Sequence, residues 1–534
     1  MPVTKTLPPA LLLAFLYGFP SPAVYADAAS TVSASAVPAS PAPVVGFYRG
    51  NLGHTGVSTE TLATPLSLLW RHTTQTALNN PASPVTANGN VYFVSGGGVY
   101  AVSAADGTTL WQYPADGKAG TLFSATPAFS DGFLYITDDS GGVTKLDAAT
   151  GKAAWKVKLD GALRSSPVVS DGMVFFGSGN SHCYALSTAT GQTVWDVTTN
   201  GAVLTSPVVT GGLVTFASSD NTVYSLSARS GHKSWSVPYD SDPSLVPLVY
   251  DGRVLLVTAG TTVHALDPGS GRQRTTITLP TNVLIPPTVS ADSTYVISQS
   301  NILYALGVGG RQQWKTTLEA TPTAPPLLVG DLLVVTTQPG VISGYETAGG
   351  KLLWRYTMQA SATDSQPKAA SASVFAAPIV AAGTLYVVSD DGTLSAFRHD
   401  AIDTIGPDVV QLAPASGTTV PTDNLTYGAL IVDQGSGVNP ATVSLELDGV
   451  ADPLALFHSD ASAIYHTSAT PLTEGDHQIT VKATDWRGNA TSQNWHFTVR
   501  NGATNRGNRF NPFGGRGFPG SGRNPYAPPP PPSF

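Results

Sequence analysis

Cysteine is nearly missing from this chain: one residue, Cys183, stands among 534. No internal disulfide can form, so whatever folds here is held by packing alone. Charge is scarce as well, with 12% Asp, Glu, Lys and Arg and a net charge of -8. That balance argues against a protein that grips nucleic acid through phosphate contacts. No apolar run reaches the ~20 residues that a membrane-spanning helix needs. The sequence also lacks H-E-x-x-H, G-x-S-x-G and P-loop patterns, which removes the common metalloprotease, hydrolase and nucleotide-binding readings. A G-x-G-x-x-G does occur at 515–520, but Pro519 lies inside it and no strand precedes it, so it is a chance match.

What the chain has is 54 glycines, 42 prolines and 42% hydrophobic residues, the composition of an all-β protein rich in turns. Residues 1–26 read as an export leader: Lys5, a short apolar run at 10–19, then Val24-Tyr25-Ala26 as a small-residue cleavage site. Residues 27–45 are an Ala/Ser/Pro linker.

The dominant pattern is K-L-D-A-A-T-G-K-A-A-W at 145–155, preceded by alternating apolar residues such as Phe133, Tyr135 and Val143. Alternation predicts strands, and the polar run ending in Gly151 predicts the turn between them. The same spacing gives Gly107 with Trp111, Gly191 with Trp195, Gly231 with Trp235 and Gly350 with Trp354. Two copies are degenerate: Gly271 is followed by Thr275 in the tryptophan slot, and the copy ending at Trp314 is one residue short. The slots at 111, 155, 195, 235, 275, 314 and 354 recur every 39 to 44 residues, the length of a four-stranded propeller blade. Each indole is expected to cover the glycine of a neighbouring turn. A second series, Pro84, Pro127, Pro167, Pro207, Pro247, Pro287, Pro326 and Pro378, counts eight strand openings. Trp70 stands on an isolated apolar stretch before the first of them, so the N-terminal strand is expected to close the last blade and remove the free edges.

The A-x-D-x-x-T-G-K-x-x-W unit resembles the tryptophan-docking motif of PQQ-type propellers, and Gly46-Phe-Tyr-Arg-Gly-Asn-Leu-Gly-His-Thr-Gly56 resembles the lead-in of many such chains. The resemblance implies an eight-bladed propeller over 46–400. It includes quinoprotein alcohol dehydrogenases and the outer-membrane-assembly lipoprotein on the same scaffold. For the dehydrogenases it implies an adjacent Cys-Cys ring against the quinone and Ca²⁺ with a catalytic Asp in the central funnel. With Cys183 alone, this sequence departs from that site.

From 405 to 500 the Trp-Gly period stops, and short alternating runs at 409–412, 425–432, 443–447, 477–483 and 495–499 predict a β-sandwich. The segments D-Q-G-S-G-V at 433–438 and D-W-R-G-N at 485–489 resemble bacterial immunoglobulin-like modules. Asp433 and Asp485 are carboxylates that a Ca²⁺ ion would accept. Residues 501–534 carry Arg506, Arg509, Arg516 and Arg523 without an acidic residue and end in prolines, which predicts a disordered tail. His54, His182, His232 and His264 fall in or beside turns and strands, and Asp138, Asp139, Asp220, Asp390 and Asp391 fall in turns that Asx side chains cap.

No catalytic, cofactor or metal residue is assigned on this reading. The expected role is an exported, non-catalytic interaction scaffold of the bacterial envelope or surface, monomeric, whose loops dock a protein or an envelope polymer. A PQQ- and Ca-dependent dehydrogenase using the funnel is the alternative, marked by acidic residues converging there. Carbohydrate or adhesion binding by 405–500, marked by an exposed strip with Trp486 or Trp495, is a third.

Overall fold

The computed structural model describes residues 44–74, 82–117, 120–243, 246–359, 372–422, 425–458 and 461–503. The leader, most of the linker, most of the 359–374 excursion and the Arg/Pro tail lie outside them. The architecture is all-β.

Each repeat folds as a four-stranded antiparallel sheet. In the second, the strands are Ala128–Ser130, Phe133–Thr137, Gly142–Asp147 and Ala153–Lys158. The first hairpin needs two consecutive residues at positive φ, and the sequence provides them: Asp131 at 51° with Gly132 at 79°, Asp171 at 50° with Gly172 at 74°, and Asn88 at 54° with Gly89 at 76°. Such turns match the twist of the strands they join, which is why D-G and N-G recur there. Among the described residues eight such sheets occur in chain order, here blades 1 to 8: 85–113, 128–158, 168–198, 208–238, 249–278, 288–317, 327–357, and 379–398 together with Ser67–Thr73. The last strand pairs antiparallel with Thr393–Arg398, Trp70 opposite Ala396.

The prolines open the innermost strands, and beside them the blades are laced together. Ser83 N donates to Thr126 Oγ1 at 3.1 Å, Thr126 N to Ser166 Oγ at 3.1 Å, and Ser166 N to Ser206 Oγ at 3.0 Å. A hydroxyl just ahead of Pro127, Pro167 and Pro207 thus satisfies an amide of the preceding blade in each case. On the outer side the indoles do the joining. Trp70, Trp111, Trp155, Trp195, Trp235 and Trp314 each donate Nε1 to a carbonyl in the next blade's turn, at 2.7–3.1 Å. Gly107, Gly151, Gly191, Gly231, Gly271 and Gly350 lie under these rings at φ 69–74°. A Cβ on any of them would lie 2.5–2.9 Å from an indole carbon.

Blades 5 and 7 depart from this. Thr275 occupies its slot opposite Ala265, and two residues on, Ile277 packs over Gly310 of the next blade, where a Cβ would meet Ile277 Cγ1 at 2.8 Å. Residues i and i+2 of a strand share a face, so the covering role moves along one pleat. Trp354 was expected to cover a blade turn like the others. It instead stacks with Tyr356, meets Phe397 edge to face and donates Nε1 to Ser436 O at 3.0 Å, outside the propeller. Blade 8 ends in Arg398-His399-Asp400 with no T-G turn, and another element fills the gap.

That element belongs to residues 408–499, which form two sheets, one ordered Asp408–Ala413, Thr426–Val432, Ala463–Thr467, Leu456–His458, the other Thr419–Val420, Ala490–Val499, Gly475–Thr484, Ser444–Leu447, Val450–Ala451. Tyr427, Ile431, Ile464, Ile479, Trp495 and Phe497 fill the space between them.

Candidate functional site

The bore of the ring and the junction with the sandwich each bring buried charged side chains together.

The bore is crossed by the chain's own lead-in. Val45 pairs with Thr86 of blade 1, and Gly46 O accepts from Phe129 N of blade 2 at 2.7 Å. Further along, Gly53 O accepts from Tyr250 N of blade 5 at 2.7 Å, Thr55 O from Val289 N of blade 6 at 3.2 Å, and Gly56 O from Leu328 N of blade 7 at 2.8 Å. Val57–Ser58 then adds parallel to Leu327–Val329. The glycines permit this approach: a Cβ on Gly53 would lie 2.2 Å from Tyr250 O. Glu60 ends the passage, accepting from Ala382 N at 2.9 Å and Gly383 N at 2.7 Å in the first hairpin of blade 8.

Within this segment Arg49 is 2% exposed. Its Nη2 donates to Pro287 O at 2.9 Å and Thr288 Oγ1 at 2.8 Å. Burial lowers the guanidinium pKa to about 10. His54 is fully buried nearby; desolvation first, then the Arg49 charge, hold its imidazole down at about 3, so it is neutral. Arg49 lines a cavity of about 180 Å³ together with Asn51, Ser58 and Glu60. Cofactor-sized ligands occupy clefts of roughly 300–1,000 Å³, so this space suits a small ligand better than a quinone.

At the junction, the loop 433–438 enters the slot beside Trp354. Leu68 N donates to Gly435 O at 2.9 Å, and a Cβ on Gly437, at φ 89°, would lie 2.4 Å from Arg355 O. Trp486 packs against the same propeller core. Asp433 and Asp485 come together here with a third carboxylate, Asp403 of the connecting segment, their ligating atoms all within 4.8 Å of one another. Each is also tied to backbone: Asp433 Oδ1 accepts from Gly435 N and Gly437 N, Asp403 Oδ2 from Ser436 N, and Asp485 Oδ1 from Arg487 N and Asn489 N. Burial, opposed by the Gly437 amide, pushes the Asp433 carboxyl up to about 6, with the Asp403 and Asp485 charges adding to the rise. Three hard oxygen donors of this kind are what a divalent cation takes. Asp403 was not singled out in the sequence: it lies in a linker between domains, where no spacing signals a partnership with residues 30 and 82 positions away.

The other residues of interest serve structure. Cys183 is buried in the core of blades 3 and 4, and burial raises its thiol pKa. His182 meets Asp196 at 3.0 Å and His264 meets Gln273 at 2.9 Å, both in pairs on blade strands. Asp138 caps its turn, Oδ1 accepting from Ser140 N and Gly142 N. Trp495 is core and donates to Pro414 O at 2.8 Å, so with Trp486 packed on the propeller neither ring joins an exposed strip.

The family model for outer membrane protein assembly factor BamB, with its PQQ_2 repeats, matches residues 63–126, 97–200, 175–249 and 239–401. The chain belongs to this PQQ_2 family. Among solved structures, this PQQ_2 propeller is similar to BamB from Moraxella catarrhalis at 19% identity and TM-score 0.52, over 64% of this chain and 99% of that one. It is similar as well to quinohemoprotein alcohol dehydrogenase from Comamonas testosteroni at 15% identity and TM-score 0.57, over 69% of this chain and 82% of that one. At these identities the likeness speaks to fold. One curated relative, tetrathionate hydrolase of Acidithiobacillus ferrooxidans, is 35% identical over 68 residues, 13% of each protein.

Proposed function

We propose that this chain is an exported, non-catalytic interaction scaffold of the bacterial envelope, a propeller that presents the loops of one face to a protein partner. The observation that carries this reading is a set of exposed apolar side chains on that face. In each blade the crossing from the outer strand to the next inner strand lies on the same side as the turn between the second and third strands, as the bonds from Gly179 N to Ala162 O and from Ser219 N to Ala202 O display. Among the described residues three such crossings hold leucines out to solvent: Leu122 at 55%, Leu204 at 44% and Leu284 at 51% exposure. Loops held by a rigid scaffold are where binding residues are disproportionately found. The bore, in contrast, is engaged by residues 45–60. Membership of the assembly-factor family agrees with such a role.

The test is site-specific photo-crosslinking from position 204 in intact envelopes, with and without Leu122→Glu and Leu284→Glu. A discrete adduct that the two glutamates abolish, at unchanged protein level and melting temperature, supports the platform; an adduct indifferent to them, or none, overturns it.

A further inference from the structure

One edge of the sandwich is apolar at outward positions, which in such folds are ordinarily polar. Residues 450–456 cross from the outermost strand of one sheet, Val450–Ala451, to the outermost strand of the other, Leu456–His458. The segment is firmly held. Asp452 N donates to Leu445 O at 2.9 Å, and Asp452 Oδ2 accepts from Tyr427 Oη at 2.6 Å and meets His466 Nδ1 at 2.6 Å. Ala455 and Phe457 pack on the core. Leu454 and Leu456, at the alternate positions, are 67% and 61% exposed, and Val450 is 70% exposed. Strand edges that hold large apolar side chains in the open pair with other chains, so folded proteins cover them.

The chain's own C-terminal segment leaves from the same end of the same sheet. The last strand pairs Val499 with Gly475, and Asn501 N donates to Glu474 Oε1 at 2.9 Å. Asp476 and Asp448 are exposed at that end too, Asp448 in the turn that leads into Val450. Asp448 meets His477 Nδ1 at 2.7 Å, but among the described residues none of these three carboxylates pairs with a lysine or arginine. From 405 to 500, ten acidic residues stand against three Lys and Arg; from 501 on there are four arginines and no acid. Val450 lies three strands across and four residues along from Val499, roughly 20 Å, which about six extended residues span. We propose that this edge is the seat of residues 504–513, which lie outside the described residues: Phe510 and Phe513 cover Val450, Leu454 and Leu456, and Arg506 and Arg509 face Glu474, Asp476 and Asp448. Exposed ion pairs contribute little singly, so the phenylalanines supply the affinity and the arginines the direction. Attachment to the same chain keeps the segment at high effective concentration beside its seat.

Hydrogen exchange on the full chain tests this, with a synthetic peptide of residues 504–513 as the free reference. The backbone amides of 504–513 should exchange about tenfold or more slowly in the chain than in the peptide. Leu454→Glu together with Leu456→Glu should abolish that protection at nearly unchanged melting temperature, since neither side chain belongs to the core. Phe510→Ser together with Phe513→Ser, which leaves the sandwich untouched, should abolish it as well. Exchange as fast as in the peptide overturns the proposal and leaves the edge to a foreign partner. Protection that survives the glutamates puts the segment elsewhere, and protection that grows with protein concentration puts it on a second copy; either result overturns the seat.

Discussion

A single contact, an indole laid over a glycine, is repeated around this ring, and its energetics can be separated into two parts. Gly151 has φ 69°, and a Cβ there would lie 2.6 Å from Trp111. Gly132 has φ 79° but open space around it. Gly132→Ala should therefore cost only the backbone term, about 1 kcal/mol, whereas Gly151→Ala adds displacement of the ring and should cost about 2–4 kcal/mol. Denaturant midpoints of the two variants measure the difference; equal losses would mean the ring yields freely. Two buried titratable groups also set opposite pH trends. Folded His54 stays neutral down to about 3, while in the unfolded chain it takes a proton near 6.5, so it lowers stability as pH falls through that window. Folded Asp433 protonates near 6 and its unfolded counterpart near 3.9, so it lowers stability as pH rises through that interval. Asp433→Asn should raise stability by on the order of 1–2 kcal/mol at pH 7.5 in the absence of divalent ions and leave it nearly unchanged at pH 4. His54→Gln should flatten the acid limb. Melting curves at the two pH values check both.

Among the elements, the loop 433–438 has the most specific task. Blade 8 lacks the turn that should receive Trp354, and Ser436 O receives its Nε1 instead. The sandwich thus supplies a piece of propeller packing, and Asp433 shapes the loop by holding two of its amides. Gly437→Val places a side chain against Arg355 O, so the loop should lift from the slot. Limited proteolysis should then cut the connection at 399–407 on the order of tenfold faster, because a segment held by docking is released; unchanged cleavage would mean the sandwich is held elsewhere. Blade 5 is the gentler case. With Thr275 in the slot, Ile277 covers Gly310, an exchange that strand periodicity permits.

For the whole molecule, closure is the controlling fact. Ser67–Thr73 joins the last sheet, and Trp70 lies over Gly107 of the first blade. One strand thereby links the two ends of the repeat array. Trp70→Ala should cost ~3–5 kcal/mol, as for other buried aromatics, and broaden unfolding, since an opened ring exposes two sheet edges. Ile277→Ala, away from the closure, should lower the melting temperature without broadening the transition. Calorimetry distinguishes the two, and a sharp transition in Trp70→Ala would assign closure to other contacts. The lead-in 45–60 strengthens the ring from within, touching blades on opposite sides of the bore.

The sequence alone determined the repeat, the all-β propeller class and the family, because strand alternation, D-G and N-G turns and a tryptophan four residues past a glycine are local signals that recur at a fixed period. It placed Asp433 and Asp485 in one domain as carboxylates suited to a cation. What waited for the tertiary structure was everything that depends on distant residues meeting. Asp403 joins those carboxylates only because the sandwich turns back onto blade 7. Trp354 finds Ser436 across 82 positions. Arg49 reads as an ordinary lead-in residue until the closing ring surrounds it, since burial of a charge is a property of the closed ring and not of the segment that carries it.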